Sequence, residues 1–240
     1  MNGTRAIVTG GSRGLGRAIA LALAKRGARV AITYSKNDDD AEETRALLGE
    51  HGRAFKGTVA DGNHVKDVVA SVVKEWGGVD VLVNNAGITQ VLPIALVEEK
   101  DWDLVMDVNA KGAFLFARAC LKQMIKAKAG RILSIGNFAS ERMVEAPVHY
   151  AASKAALRGM TEALAREVGR YGITVNLLAP GILDEGLARM LPQHRVDEYR
   201  SQCALGRTGT VAEVAELAAF LVSDEARFVT GAKIAIDGGV

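Results

Sequence analysis

The chain has 240 residues, 49% of them hydrophobic, with 30 Lys and Arg against 28 Asp and Glu. Its length and apolar content support one large core, and a net charge of +2 supplies no overall field for a nucleic-acid partner. No apolar stretch is long enough to span a membrane, the opening "MNGTRAIVTGG" lacks the pattern of a signal peptide, and Cys120 and Cys203 belong to no metal-spaced or Cys-x-x-Cys set. Buried free thiols and a cytoplasmic location are expected.

In chain order, "AIVT" (6–9) predicts a first strand, followed by a helix over 15–27 that Gly27 closes after Lys25 and Arg26. "RVAITY" (29–34) predicts the second strand. The acidic run "DDDAEE" (38–43) suits the N-terminus of a helix reaching 50, where carboxylates favour the macrodipole. "RAFKGTVA" (53–60), a helix over 64–76 and "VDVLVN" (79–84) come next, then helical sequence over 101–128, "RILSI" (131–135) and a helix over 149–170. "ITVNLLA" (173–179), an irregular stretch over 184–210, a helix over 211–223 and "KIAI" (233–236) complete the chain. Short strands apolar on both sides, alternating with helices, predict a single-domain Rossmann-like α/β fold: a doubly wound parallel sheet of about seven strands with helices on both faces. Residues 184–210, after the sixth strand, are a candidate substrate lid.

"TGGSRGLG" (9–16) stands between the first strand and the first helix, where a glycine loop can receive a dinucleotide. Gly10, Gly14 and Gly16 allow a tight turn and close approach to a pyrophosphate at the helix N-terminus, with Ser12, Arg13 and Leu15 completing the loop. An NAD enzyme places an acid near the end of the second strand to bind the ribose. Here the sequence is "TYSKN", so Ser35, Lys36 and Arg13 offer donors and positive charge to a 2′-phosphate, and NADPH is favoured. The alternative is that Lys36 and Arg13 are merely solvated.

Together, "TGGSRGLG", "NNAG" (84–87), Asn109, "YAASK" (150–154) and "APG" (179–181) resemble the short-chain dehydrogenase/reductase family over nearly the whole chain. "YAASKAAL", "LAREVGRYGITVN" and "GAKIAIDGG" are most similar to its 3-oxoacyl-(acyl-carrier-protein) reductases. The resemblance implies that Asp61 lies by the adenine, that Asn85, Ala86 and Gly87 sit beside the cofactor, and that Pro180, Gly181 and Ile182 border the nicotinamide. Tyr150 would protonate a carbonyl oxygen as hydride arrives from NADPH. Lys154, one helical turn on, would stabilise the phenolate and bind the nicotinamide ribose. Asn109 would sit at a helix irregularity and hold a water that returns protons to the lysine. No metal is implied.

The family's active serine stands thirteen residues before the tyrosine, and that position is Asn137. An amide offers two N–H donors and can keep an electrostatic role toward the substrate oxygen. Ser140 is a second candidate if its loop bends, Ser134 lies inside the strand as a structural hydroxyl, and His149 reads as a solvated loop histidine. Glu185 stands where a threonine often contacts the carboxamide.

The function expected is NADPH-dependent reduction of a β-ketoacyl thioester on acyl carrier protein, in fatty-acid or polyketide/aryl-polyene-type synthesis. Alternatives are a reductase or dehydrogenase of a free small ketone or alcohol, and a catalytically silent NADPH-binding subunit. Lys126, Lys128, Arg131, Arg166 and Arg170 are expected near the mouth and helix ends, where they could meet an acidic carrier; the alternative is a solvated face. A homotetramer, with a dimer next, is expected through helices 101–128 and 149–170 and the last strand. Substrate specificity is expected in 90–97 and 184–210.

Overall fold

In the computed structural model, which describes residues 1–140, 145–186 and 191–240, the short apolar runs become strands β1 (Arg5–Val8), β2 (Arg29–Tyr34), β3 (Gly52–Lys56), β4 (Val81–Asn84), β5 (Gly130–Ile135), β6 (Ile173–Pro180) and β7 (Lys233–Ile236). They form one parallel sheet in the order β3-β2-β1-β4-β5-β6-β7. The period of two along each strand divides the core. Ala6 and Val8 of β1 and Leu133 of β5 pack on one face with Ile19 and Leu23 of α1 (Gly14–Lys25) and Val214 and Ala218 of α8 (Val211–Leu221). Ile7 and Ile132 pack on the other with Val68 and Val72 of α3 (Gly62–Trp76) and Phe116 and Met124 of α5 (Gly112–Ala127). Each fully buried Leu, Ile or Phe contributes about 1.5 to 3 kcal/mol of transfer free energy.

Local signals set the element ends. Asn37 Oδ1 accepts from Asp39 and Asp40 N at 3.0 and 3.2 Å, capping α2 (Asp38–Leu47), whose first turn holds three aspartates. Gly77, at φ 84°, closes α3. The expected helix over 101–128 is divided into α4 (Glu99–Met106), a π-helical turn (Asp107–Lys111) and α5. α6 runs Val148–Val168. β3 stops at Lys56, short of residue 60.

The stretch 184–210 is more regular than expected, since it contains α7 (Gln193–Gln202). Its sequence QHRVDEYRSQ has almost no apolar stripe, and one residue anchors it. Tyr199 packs edge-on against Phe138, with ring centroids 5.3 Å apart, and its hydroxyl donates to Asp237 O at 2.5 Å. Residues 187–190 of this stretch lie outside the described residues. Among the described residues, no helix is long and apolar enough to cross a membrane.

β1 and β4 are neighbours, but the chain winds from β1 toward β2 on one side and from β4 toward β5 on the other. Such a switch opens a crevice at the strands' C-terminal edge, where ligands of open α/β sheets bind.

Candidate active site

The glycine loop follows β1 into that crevice. Gly10 and Gly14 take φ of +64° and +53°, in the left-handed region that side chains avoid. A Cβ on Gly16 would stand 2.1 Å from Gly10 O, so the loop closes only with glycine there. Asn85 Nδ2 donates to Thr9 O and Gly10 O at 2.9 and 3.1 Å, while Thr9 Oγ1 accepts from Asn85 and Ala86 N, each at 3.0 Å. The "NNAG" segment and the glycine loop are therefore one hydrogen-bonded unit. Arg13, at the N-cap of α1, is extended and makes no side-chain cap bond, which leaves the first amides of α1 without a side-chain acceptor. A helix start of that kind attracts an anion.

Ser35 and Lys36 follow β2 and are exposed, as is Arg13. The neighbouring acids are engaged: Asp38 accepts from Tyr34 and Lys56 at 2.9 and 2.6 Å, and Asp40 lies 3.9 Å from Arg17 and 4.0 Å from Arg13. Asp61 caps α3, Oδ1 accepting from Asn63 N at 2.8 Å. Pro180, Gly181 and Ile182 are buried where β6 ends, and a Cβ on Gly181 would overlap the Tyr199 hydroxyl. These positions line the same edge of the sheet and fit a dinucleotide lying across β1 and β4.

Tyr150 and Lys154 share one face of α6, and both are buried. Lys154 Nζ donates to Ile135 O at 2.8 Å and lies 5.8 Å from the Tyr150 ring centroid. Burial lowers the lysine from its ordinary 10.5 to about 8. Burial likewise holds the Tyr150 phenol well above its ordinary 10. Desolvation is the cause of the raised phenol, and the Lys154 ammonium is directed to the Ile135 carbonyl.

Asn109 lies in the π turn, the helix irregularity expected of it, with 1% exposure. Oδ1 accepts from Ile88 N at 2.8 Å, and Nδ2 donates to Ile88 O and Ser153 Oγ, both at 2.9 Å. Ser153 Oγ in turn donates to Tyr150 O at 2.7 Å. A Cβ on Gly87 would come within 3.3 Å of Lys154 Nζ and 3.4 Å of Asn109 Oδ1, so glycine lets the strand end pass between them. Ser153 was not singled out from sequence, although its i+3 spacing from Tyr150 is the signal that places it beside Asn109.

Asn137 follows β5. Its Oδ1 accepts from Ala139 N at 2.8 Å, and its carbonyl accepts from Ser140 Oγ at 2.8 Å. The carbonyl side of the amide is thus occupied, and Nδ2 donates to no described residue. Ser134 is fully buried inside β5, in register with Asn84, and its hydroxyl has no hydrogen-bond partner among the described residues.

Two expectations fail. His149 is not a solvated loop residue: it lies in the first turn of α6 with 0% exposure, because its side chain turns inward to Gln90, Nε2 to Oε1 at 3.4 Å. The basic cluster keeps the helix ends expected of it but is not at the mouth of the site. Lys126, Lys128, Arg131, Arg166 and Arg170 occupy the ends of α5 and α6 and the start of β5. In a parallel α/β sheet, helix C-termini sit at the strands' N-terminal edge, opposite the crevice. Arg131 there pairs with Asp224 at 3.1 Å. Glu185 is half-buried just beyond the bridge between Leu183 and Gly209.

Fold and site define a dinucleotide-binding α/β protein with a tyrosine and lysine set over the switch point. The profile of the family described as Enoyl-(Acyl carrier protein) reductase matches residues 10–240. A crystal structure of a short chain dehydrogenase from Burkholderia cenocepacia, in complex with NADP, superposes with a TM-score of 0.93 at 39% identity, covering 99% of this chain and 98% of that one. The chain is 38% identical over 238 residues to 3-oxoacyl-(acyl-carrier-protein) reductase FabG of Staphylococcus epidermidis, covering 98% of each. It is 37% identical to the Escherichia coli FabG, covering 99% of this chain and 97% of the relative. The chain belongs to the short-chain dehydrogenase/reductase family.

Proposed function

We propose that this protein is an NADPH-dependent oxidoreductase that reduces a β-ketoacyl thioester on acyl carrier protein to the β-hydroxyacyl form, in fatty-acid synthesis. The observation that carries it is the joint placement of Tyr150, Lys154 and Asn109 at the switch point of a chain 37–38% identical, end to end, to FabG reductases. Bound NADPH supplies the hydride. Gly10, Gly14 and Gly16 and the start of α1 hold the pyrophosphate, Asp61 the adenine, and Arg13, Ser35 and Lys36 the 2′-phosphate. Asn85, Ala86 and Gly87 flank the cofactor, and Pro180, Gly181 and Ile182 border its nicotinamide.

Tyr150 is the proton donor. Burial raises the phenol and so makes it a weaker acid, which is why the positive charge of Lys154 is needed to stabilise the phenolate as the proton leaves for the ketone oxygen. Lys154, which titrates near 8, sits one turn away as the group that restores it. Asn137 supplies a donor where negative charge develops, its Nδ2 aimed by the bond that Ala139 N makes to its Oδ1. Asn109 holds the wall behind the lysine. Residues 184–186 and 191–210, α7 included, cover the substrate.

The test is NADPH oxidation with a β-ketoacyl carrier-protein thioester, run beside a free ketone at equal concentration and an enoyl thioester. Preference for the carrier-linked ketone supports the reading. Preference for the free ketone, or for the enoyl compound named in the matched family's description, replaces it. Tight NADPH binding without turnover of any of the three favours a silent nucleotide-binding subunit. We further infer a cytoplasmic homotetramer, supported by buried free thiols and by exposed Phe114, Ile125 and Phe228.

A further inference from the structure

Three elements around the proposed site meet at one buried histidine. Gln90 Nε2 donates to Asp101 Oδ1 at 3.0 Å, and Asp101 Oδ2 accepts from Glu98 N at 3.2 Å, capping α4. An ionised carboxylate only accepts, so Gln90 must turn its NH2 to Asp101 and its oxygen to His149. His149 Nε2, 3.4 Å from that oxygen, must then carry the ring proton. Nδ1 is left as a bare acceptor, buried and without a partner among the described residues. Protonating it would bury an N–H with no acceptor, a costlier orphan than an unfilled lone pair. Two residues earlier, Ile88 is clamped on both its N–H and C=O by Asn109. The strap 88–92 is therefore pinned to the π turn at Ile88, and to α6 and α4 at Gln90.

We propose that His149, as the neutral tautomer protonated on Nε2, is a positioning residue that locks the strap 88–92 against the first turn of α6 and so fixes the substrate-facing wall beside Tyr150. The substrate half of this statement rests on the reductase reading; the tautomer and the lock do not. His149 is fully buried and acts through Gln90. Losing it displaces the wall that presents the ketone, which raises KM, while the glycine loop and its nucleotide contacts stay as they are.

The variants are chosen by atom position. A glutamine amide nitrogen reaches the place of imidazole Nε2, whereas an asparagine amide nitrogen reaches only that of Nδ1. Amide hydrogen exchange at Ile88 and Leu92 is expected to quicken at least tenfold in His149→Phe and His149→Asn, and to stay within threefold of the natural protein in His149→Gln. Nitrogen-15 NMR of the natural protein is expected to show Nε2 protonated and Nδ1 bare. KM for the ketoacyl thioester is expected to rise tenfold with the same pattern, with NADPH affinity unchanged within twofold. Equal exchange in all three variants, rescue by asparagine as good as by glutamine, or an Nδ1-protonated ring would overturn the proposal. If the natural protein reduces no ketoacyl thioester, the reductase reading falls and exchange with the tautomer decides the lock by itself.

Discussion

An amide at position 137 exchanges a rotatable hydroxyl for a planar group whose oxygen is already held by Ala139 N. That bond orients Nδ2 in advance, so its aim costs little reorganisation as charge develops on the substrate. Asn137→Ala is expected to lower kcat/KM for the ketoacyl thioester at least tenfold, with NADPH affinity preserved, and removing such a donor is worth roughly 3 to 4 kcal/mol. Activity only in Asn137→Ser would mean that the natural site is disabled. Lys154 yields a prediction that needs no substrate. Its folded pKa of about 8 lies below the unfolded 10.5, so the folded protein binds fewer protons between those values and stability rises with pH across that window. Below pH 8 the buried ammonium costs about 3 kcal/mol. Lys154→Met is therefore expected to abolish turnover while raising Tm at pH 7, and the gain should shrink toward pH 10. Thermal melts across pH 6 to 10 check it, and a Lys154→Met protein that melts lower at pH 7 counts against the burial account.

The elements that hold these side chains differ in how openly the sequence announces them. Strands apolar on both sides and the glycine loop were legible because parallel strands and tight turns restrict composition directly. The bounds of β2 and β7 come out of the sequence unchanged. The π turn leaves no mark in hydrophobic period, since apolar residues continue across it from α4 into α5; its position was available only through the resemblance carried by Asn109. α7 was missed because it lacks an apolar stripe and is held by the single anchor Tyr199. His149 was misread because its burial is decided by Gln90, distant in sequence. Two substitutions test the elements themselves. Gly16→Ala places a methyl against Gly10 O and the Asn85 amide, so NADPH binding is expected to weaken at least a hundredfold by fluorescence titration, with the fold retained by circular dichroism. Asn109→Leu strips the Ile88 clamp and the Ser153 contact together, and turnover is expected to fall more than nucleotide affinity.

At the scale of the whole molecule, several large apolar side chains stay exposed on and beside the helices. Phe114 and Ile125 on α5 are 47% and 37% exposed, with the exposed Arg118 between them and Leu121 packed against the core. Arg118 packs its guanidinium over the Phe114 ring, 5.2 Å from its centroid. Phe228, beyond α8, is fully exposed. A chain that buries one core on each face of its sheet has little reason to leave these outside unless a second copy covers them. α5 and α8 pack on opposite faces of the sheet, so Phe114 and Phe228 stand apart, and two separate two-fold contacts generate a tetramer where one generates a dimer. Light scattering at micromolar concentration is expected to give the tetramer mass. Phe114→Asp together with Ile125→Asp should reduce it to a dimer by closing off the α5 contact alone, and Phe228→Asp should do the same through the other. A monomer in the natural protein would sink this, and a tetramer that survives both sets of substitutions would place its contacts elsewhere.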